Sequence, residues 1–131
     1  MKSLGALHGL PVALKDIIST SEMPTKYGAR IKLKKKNNLD AKIVELLKKA
    51  GAIIMGKTVT CELAFLSPSK TKNPHDYSRT PGGSSSGSAA VIASDMAPLS
   101  IGTQTGGSVI RPASYCGVVA VSYTHLRAHE T

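Results

Sequence analysis

RTPGGSSSGSAAVIASDMAPLSIGTQTGGSVIRPASYCG, residues 79–117, is the stretch that decides how this chain folds. It holds two Gly-Gly-Ser turns, Gly82-Gly83-Ser84 and Gly106-Gly107-Ser108, separated by a run of small residues with helical character and a short apolar strand. Successive glycines let backbone N–H groups converge on one point. A serine placed just after them, at the start of a helix, faces both those donors and the positive helix end. Such a point suits an oxyanion, so the layout reads as a serine-nucleophile site without a histidine.

Working outward, the base has to be found elsewhere in the chain. A serine hydroxyl attacks a carbonyl poorly unless a base removes its proton as the bond forms. The four histidines fit badly: His8 precedes an apolar strand, His75 sits in the turn NPHDY, and His125 and His129 fall in a polar tail. A lysine serves if its ammonium is desolvated and surrounded by hydrogen-bonding neighbours. Lys15 ends the apolar run LPVAL, which puts it at the carboxyl end of a buried strand, where open α/β sheets place their sites. Lowering a lysine from about 10.4 to near 7 costs about 4–5 kcal/mol, which burial and a serine network have to supply.

Four motifs occur in order: GLPVALKD around Lys15, GAIIMGKTVTCELAF from Gly51, TPGGSSSGSAA and GTQTGGSVIRPA. Together they resemble the amidase signature family of serine amide hydrolases, over roughly residues 7–119. The resemblance implies a Ser–cis-Ser–Lys triad that cleaves amides, with Ser108 as nucleophile, Ser84 as bridging serine, Lys15 as base and a cis peptide between Gly83 and Ser84. The N–H groups of Thr105, Gly106, Gly107 and Ser108 are the natural oxyanion donors, with Gln104 leading into them. Ser85 orients either the lysine or the substrate, while Ser86 and Ser88 cap and line the following helix. Arg111, one helical turn after the nucleophile, either holds a substrate carboxylate or pairs with an acid of the fold. Glu62 is read as an anchoring residue rather than an acid catalyst. No metal and no cofactor is called for. The partner is a small-molecule amide, and oligomeric state is left open.

Other readings are weaker. Residues 51–58, GAIIMGKT, match the phosphate-loop pattern letter for letter, but they follow a helix and their inner residues are themselves the expected strand, so nucleotide binding is set aside. The net charge of +9 invites a nucleic-acid reading. Much of that charge crowds one loop (Lys26, Arg30, Lys32, Lys34, Lys35, Lys36), and Lys42, Lys48 and Lys49 decorate the polar face of a helix. One Phe and four Tyr offer no aromatic–basic interleaving, so the expectation is no nucleic-acid partner. Nothing approaches the run of about 18–20 apolar residues a membrane span needs, and the interrupted N-terminal stretch is not read as a secretory signal. Cys61 and Cys116 are too few and too isolated for zinc, and a disulfide between them is not required, so a reducing cytoplasm is the default.

The expected order is strand 7–14, helix 40–50, strand 52–55, helix 85–94, strand 98–101, helical turn 108–115 and strand 117–121, with Asn37, Asn38 and Asp40 as helix-start chemistry and Gly51 as a stop. The helix over 40–50 has its apolar positions at Ile43, Val44, Leu46 and Leu47. Such alternation predicts an α/β fold: a mostly parallel or mixed open sheet flanked by helices, an incomplete portion of the amidase signature fold. The segment 67–81, SPSKTKNPHDYSRTP, is a surface crossing. Residues 1–121 are read as a partial domain and 122–131 as a non-native tail, because VSYTHLRAHET departs from the continuation the family implies. The order GGSVIRPA favours a stand-alone amidase over the A chain of an amidotransferase. The alternative is an inactive remnant that keeps the triad in sequence without holding it in place.

Overall fold

The computed structural model describes residues 4–29 and 39–122. Its elements are β1 (Pro11–Lys15), α1 (Lys42–Lys49), β2 (Ile53–Thr58), a 3-10 turn (Glu62–Ala64), α2 (Ser86–Ala93), β3 (Leu99–Ile101) and α3 (Ile110–Tyr115). The three strands form one parallel sheet in the order β2-β1-β3. An open α/β sheet is therefore correct, and among the described residues every pairing between strands is parallel.

β1 takes the central position because its sequence is apolar on both faces, as a parallel strand covered on both sides requires. Val12 and Leu14 are fully buried and cluster with Ile18, Val44 and Leu47. β1 pairs with β2 from Pro11–Ile53 to Lys15–Thr58, with a register shift between Val12 and Ala13, and with β3 from Val12–Leu99 to Leu14–Ile101. α1 lays Val44 and Leu47 onto this core, whereas Ile43 and Leu46, expected on the apolar face, are exposed. α2 is built of small residues, and Ser86, Gly87, Ser88, Ala89 and Ala90 are all buried. Their hydroxyls are satisfied as they go in: Ser86 meets Ser69 Oγ at 2.7 Å, and Ser88 pairs with Thr58 at 2.9 Å.

Several boundaries differ from the sequence expectation. β1 starts at Pro11, not at residue 7, because the preceding residues turn: His8 N–H donates to Gly5 O and Leu10 N–H to Leu7 O. β2 runs on through Gly56-Lys57-Thr58, since these residues still pair with Ala13, Leu14 and Lys15. Asp40 does not cap α1. Its carboxylate instead accepts the Ser21 N–H at 2.6 Å and Lys48 Nζ at 2.8 Å, and α1 begins after Ala41 with no side-chain cap. Asn37, Asn38 and the basic residues from Arg30 to Lys36 lie outside the described residues.

Gly51 does end α1. Its N–H donates to Lys48 O and that of Ala52 to Leu47 O, the paired bonds of a Schellman motif. α3 closes in the same way, with Gly117 N–H on Ser114 O and Val118 N–H on Ala113 O. No strand follows it over 117–121, where Val119 and Val121 stand 96% and 76% exposed with no neighbouring strand among the described residues. The crossing segment is pinned onto α3 by Asn73, whose Nδ2 donates to Tyr115 O at 2.8 Å, and by His75 Nε2 on Cys116 O. No helix among the described residues is long and apolar enough to cross a membrane.

Candidate active site

Because the strands are parallel, their carboxyl ends open on one edge of the sheet, and Lys15, Thr58 and the residues after Ile101 gather there. Lys15 is the last residue of β1 and has no exposed surface. Its Nζ donates to Ser84 Oγ at 2.7 Å, to Thr103 Oγ1 at 2.9 Å and to Thr103 O at 3.3 Å. Burial depresses its pKa from 10.5 to about 8, and the neighbouring Cys61 partly opposes that shift. Buried and three-fold hydrogen-bonded, this lysine gives up its proton more readily than one in water.

Ser84 follows the nest of Gly82 and Gly83, and the Gly83–Ser84 peptide is cis. Its hydroxyl faces Lys15, while its carbonyl accepts the Cys61 N–H at 3.0 Å and Thr60 Oγ1 at 3.1 Å. Ser85 is turned toward the other strand end. Its Oγ donates to Thr103 O at 3.1 Å and lies 3.3 Å from Thr103 N, so it braces the residue that contacts the lysine. The Ser85 N–H donates to Ser108 O at 3.0 Å, which ties the two nests together through the backbone.

Ser108 lies just ahead of α3. Its hydroxyl makes no hydrogen bond among the described residues, so the structure unites Lys15, Ser84, Ser85 and Thr103 by side chains and Ser108 by its carbonyl. The N–H groups of Thr105, Gly106, Gly107 and Ser108 likewise have no acceptor among the described residues. Gly107 has a φ of +120°, a backbone that excludes a side chain, and nothing lies within 4 Å of where a Cβ on Gly106 or Gly107 would stand. The turn at Gly106 and Gly107 therefore borders open space.

Gln104 and Arg111, both candidate site residues, are engaged within the fold. Gln104 Oε1 accepts the N–H groups of Val109 and Ile110, both at 2.9 Å, and its Nε2 donates to Ser122 Oγ at 2.8 Å. It satisfies the orphan donors at the start of α3. Arg111 meets no acid among the described residues: its Nε donates to Gly83 O at 3.1 Å, linking α3 to the first nest. Lys57, the lysine of the phosphate-loop pattern, sits within β2 and donates to Ile18 O at 2.6 Å and Thr25 Oγ1 at 2.9 Å, beside Asp16 at 3.4 Å. It is a strand residue, and its contacts hold the loop after β1. Cys61 and Cys116 are both buried free thiols.

Sequence reading missed Thr103 and Thr60. The available signal for Thr103 was its place directly after β3, level with the end of β1. Thr60 carried none, because nothing in TVTCEL marks which hydroxyl turns toward the serine.

These elements define an α/β protein whose strand ends carry a buried lysine against paired Gly-Gly-Ser nests. The chain belongs to the Amidase family, whose model matches residues 1–127. It is 47% identical over 130 residues to the A chain of glutamyl-tRNA(Gln) amidotransferase from Koribacter versatilis, covering 95% of this chain and 27% of that protein. Among solved structures, it is similar to the A chain of glutamyl-tRNA(Gln) amidotransferase from Thermotoga maritima (TM-score 0.79, 40% identity, 88% of this chain and 27% of that one). It is also similar to the peptide amidase of Stenotrophomonas maltophilia (TM-score 0.77, 39% identity, 83% of this chain and 24% of that one). The chain thus spans about a quarter of the length of these relatives.

Proposed function

We propose that these residues form the catalytic centre of an amide hydrolase that works through a serine acyl-enzyme. The observation that carries this reading is the dry Lys15 amine at 2.7 Å from Ser84 Oγ. Protonated, the amine donates to Ser84 and twice to Thr103. Neutral, it keeps two N–H bonds to Thr103 and turns its lone pair to the Ser84 hydroxyl. Ser108 Oγ then attacks the amide carbonyl while its proton passes to Ser84 Oγ and that of Ser84 passes to Lys15. The negative charge grows on the carbonyl oxygen beside the N–H groups of Thr105, Gly106, Gly107 and Ser108, each such donor being worth about 3–4 kcal/mol at the transition state. Lys15 returns the proton through Ser84 to the leaving nitrogen, which departs as amine or ammonia. Water repeats the sequence on the acyl-enzyme and releases the acid.

The test uses the full-length protein that carries these residues. A fluorophosphonate probe should label it covalently, and Ser108→Ala should abolish the labelling. Retained labelling in Ser108→Ala sinks the assignment. A second reading, transfer of the released ammonia to an acylated acceptor, is favoured by the 47% identity to the A chain of an amidotransferase. Both readings share the acylation step. Ammonia release from simple primary amides with no acceptor present favours the stand-alone amidase, whereas release only in the presence of partner chains and acceptor favours the amidotransferase.

A further inference from the structure

We infer that Thr60 is a positioning residue for the serine pair: its hydroxyl, with the Cys61 N–H, holds the Ser84 carbonyl and so sets where the Ser84 hydroxyl stands relative to Lys15. The inference rests on the reading of the site proposed above. Thr60 is buried, at 2% exposure, in the segment that continues from β2. Its Oγ1 lies 3.1 Å from Ser84 O and 3.1 Å from Cys61 O. The single hydroxyl proton is shared between the Cys61 and Ser84 carbonyls at equal distance, and the Ser84 arm of this bifurcated contact reaches 24 residues along the chain to the active-site serine.

The bridge completes a frame. On the other side of Ser84, the Gly83 carbonyl accepts Arg111 Nε at 3.1 Å from α3. The carbonyls flanking the serine are therefore tied to two different elements, and the side chain between them reaches Lys15. The Cys61 side chain also lies hard on this turn, since a Cβ on Gly83 would stand 2.5 Å from Cys61 Sγ. Without the Thr60 hydroxyl, the Ser84 carbonyl keeps one donor instead of two, and the serine is free to drift from the proton path. Geometry of this kind is costly to lose, because sub-ångström misplacement of a reacting group weakens catalysis without touching substrate affinity.

The experiment compares wild type, Thr60→Val and Thr60→Ser in the full-length protein, measuring fluorophosphonate labelling against probe concentration, with rates referred to the folded fraction. Thr60→Val keeps the shape and removes the donor. Its limiting labelling rate should fall about tenfold while the half-saturating probe concentration stays unchanged, as expected for the loss of one buried hydrogen bond felt at the transition state. Thr60→Ser should restore the rate. An unaltered limiting rate in Thr60→Val overturns the inference, as does a failure of Thr60→Ser to rescue, because packing and not the hydroxyl would then matter. If Thr60→Val does not fold, Thr60→Ala is measured in its place with the same criteria. A wild-type protein that does not label overturns the reading of the site, and this inference with it. Labelling of wild type alongside undiminished Thr60→Val overturns the inference alone.

Discussion

At the scale of single residues, the proposed role of Lys15 as base predicts how the site responds to pH. Its pKa of about 8 in the fold means that the neutral amine dominates only above that value, so labelling should rise with pH through about 8 and level off. A labelling profile already flat from pH 6 upward would remove lysine from the role of base. The same shift has a stability consequence. Unfolded, Lys15 holds its proton up to about 10.5, whereas folded it releases it near 8. Between those values the unfolded chain binds more protons, and raising the pH stabilises the fold. Relative to Lys15→Met, which has no proton to lose, wild type should therefore gain up to about 3 kcal/mol between pH 8 and 10.5, measured by denaturant unfolding at each pH. The lysine was legible in the sequence because it terminates a buried apolar strand. Its companion Thr103 was not, because the contact depends on where β3 ends beside β1.

At the scale of elements, α3 is positioned by two side chains that the sequence reading placed among the candidate site residues, Gln104 leading into the oxyanion donors and Arg111 held for either a substrate carboxylate or an acid of the fold. Gln104 accepts the first two N–H groups of the turn into α3, and Arg111 ties the helix to Gly83. Gln104→Ala should therefore cost about 1 kcal/mol of stability, as the loss of a helix cap does, and should also slow labelling because the second nest is no longer held against α3. A variant with full stability and full labelling would show that Gln104 is dispensable to both. Asp40 makes a parallel point. It looked like a helix start, yet Lys48 and the Ser21 N–H compete for its carboxylate and win. A capping residue is recognisable by type, but which donor it satisfies depends on what the fold brings near it.

At the scale of the whole molecule, one small apolar core among the described residues underlies the strand that bears Lys15. Leu14 is fully buried in it and directly precedes Lys15, so Leu14→Ala should cost about 2–5 kcal/mol, read as a shift of the denaturant midpoint. A change below about 1 kcal/mol would show that the core is not centred on β1. The fold class was legible because apolar strand runs alternate with helical and small-residue stretches and because Gly51 supplies a helix stop. The error over 117–121 arose from Val118, Val119 and Val121, which have strand propensity but find no partner strand among the described residues; propensity describes fitness for a sheet and does not provide one. By itself the sequence determined the order of the motifs that hold Lys15, Ser84 and Ser108 and an open α/β sheet, mostly parallel or mixed, since periodicity and glycine placement are local properties. Only the tertiary structure decided the state of Lys15 and the partners of Ser84, because desolvation and hydrogen bonding arise from Ser84, 69 residues away, and Thr103, 88 residues away, meeting at the ends of parallel strands.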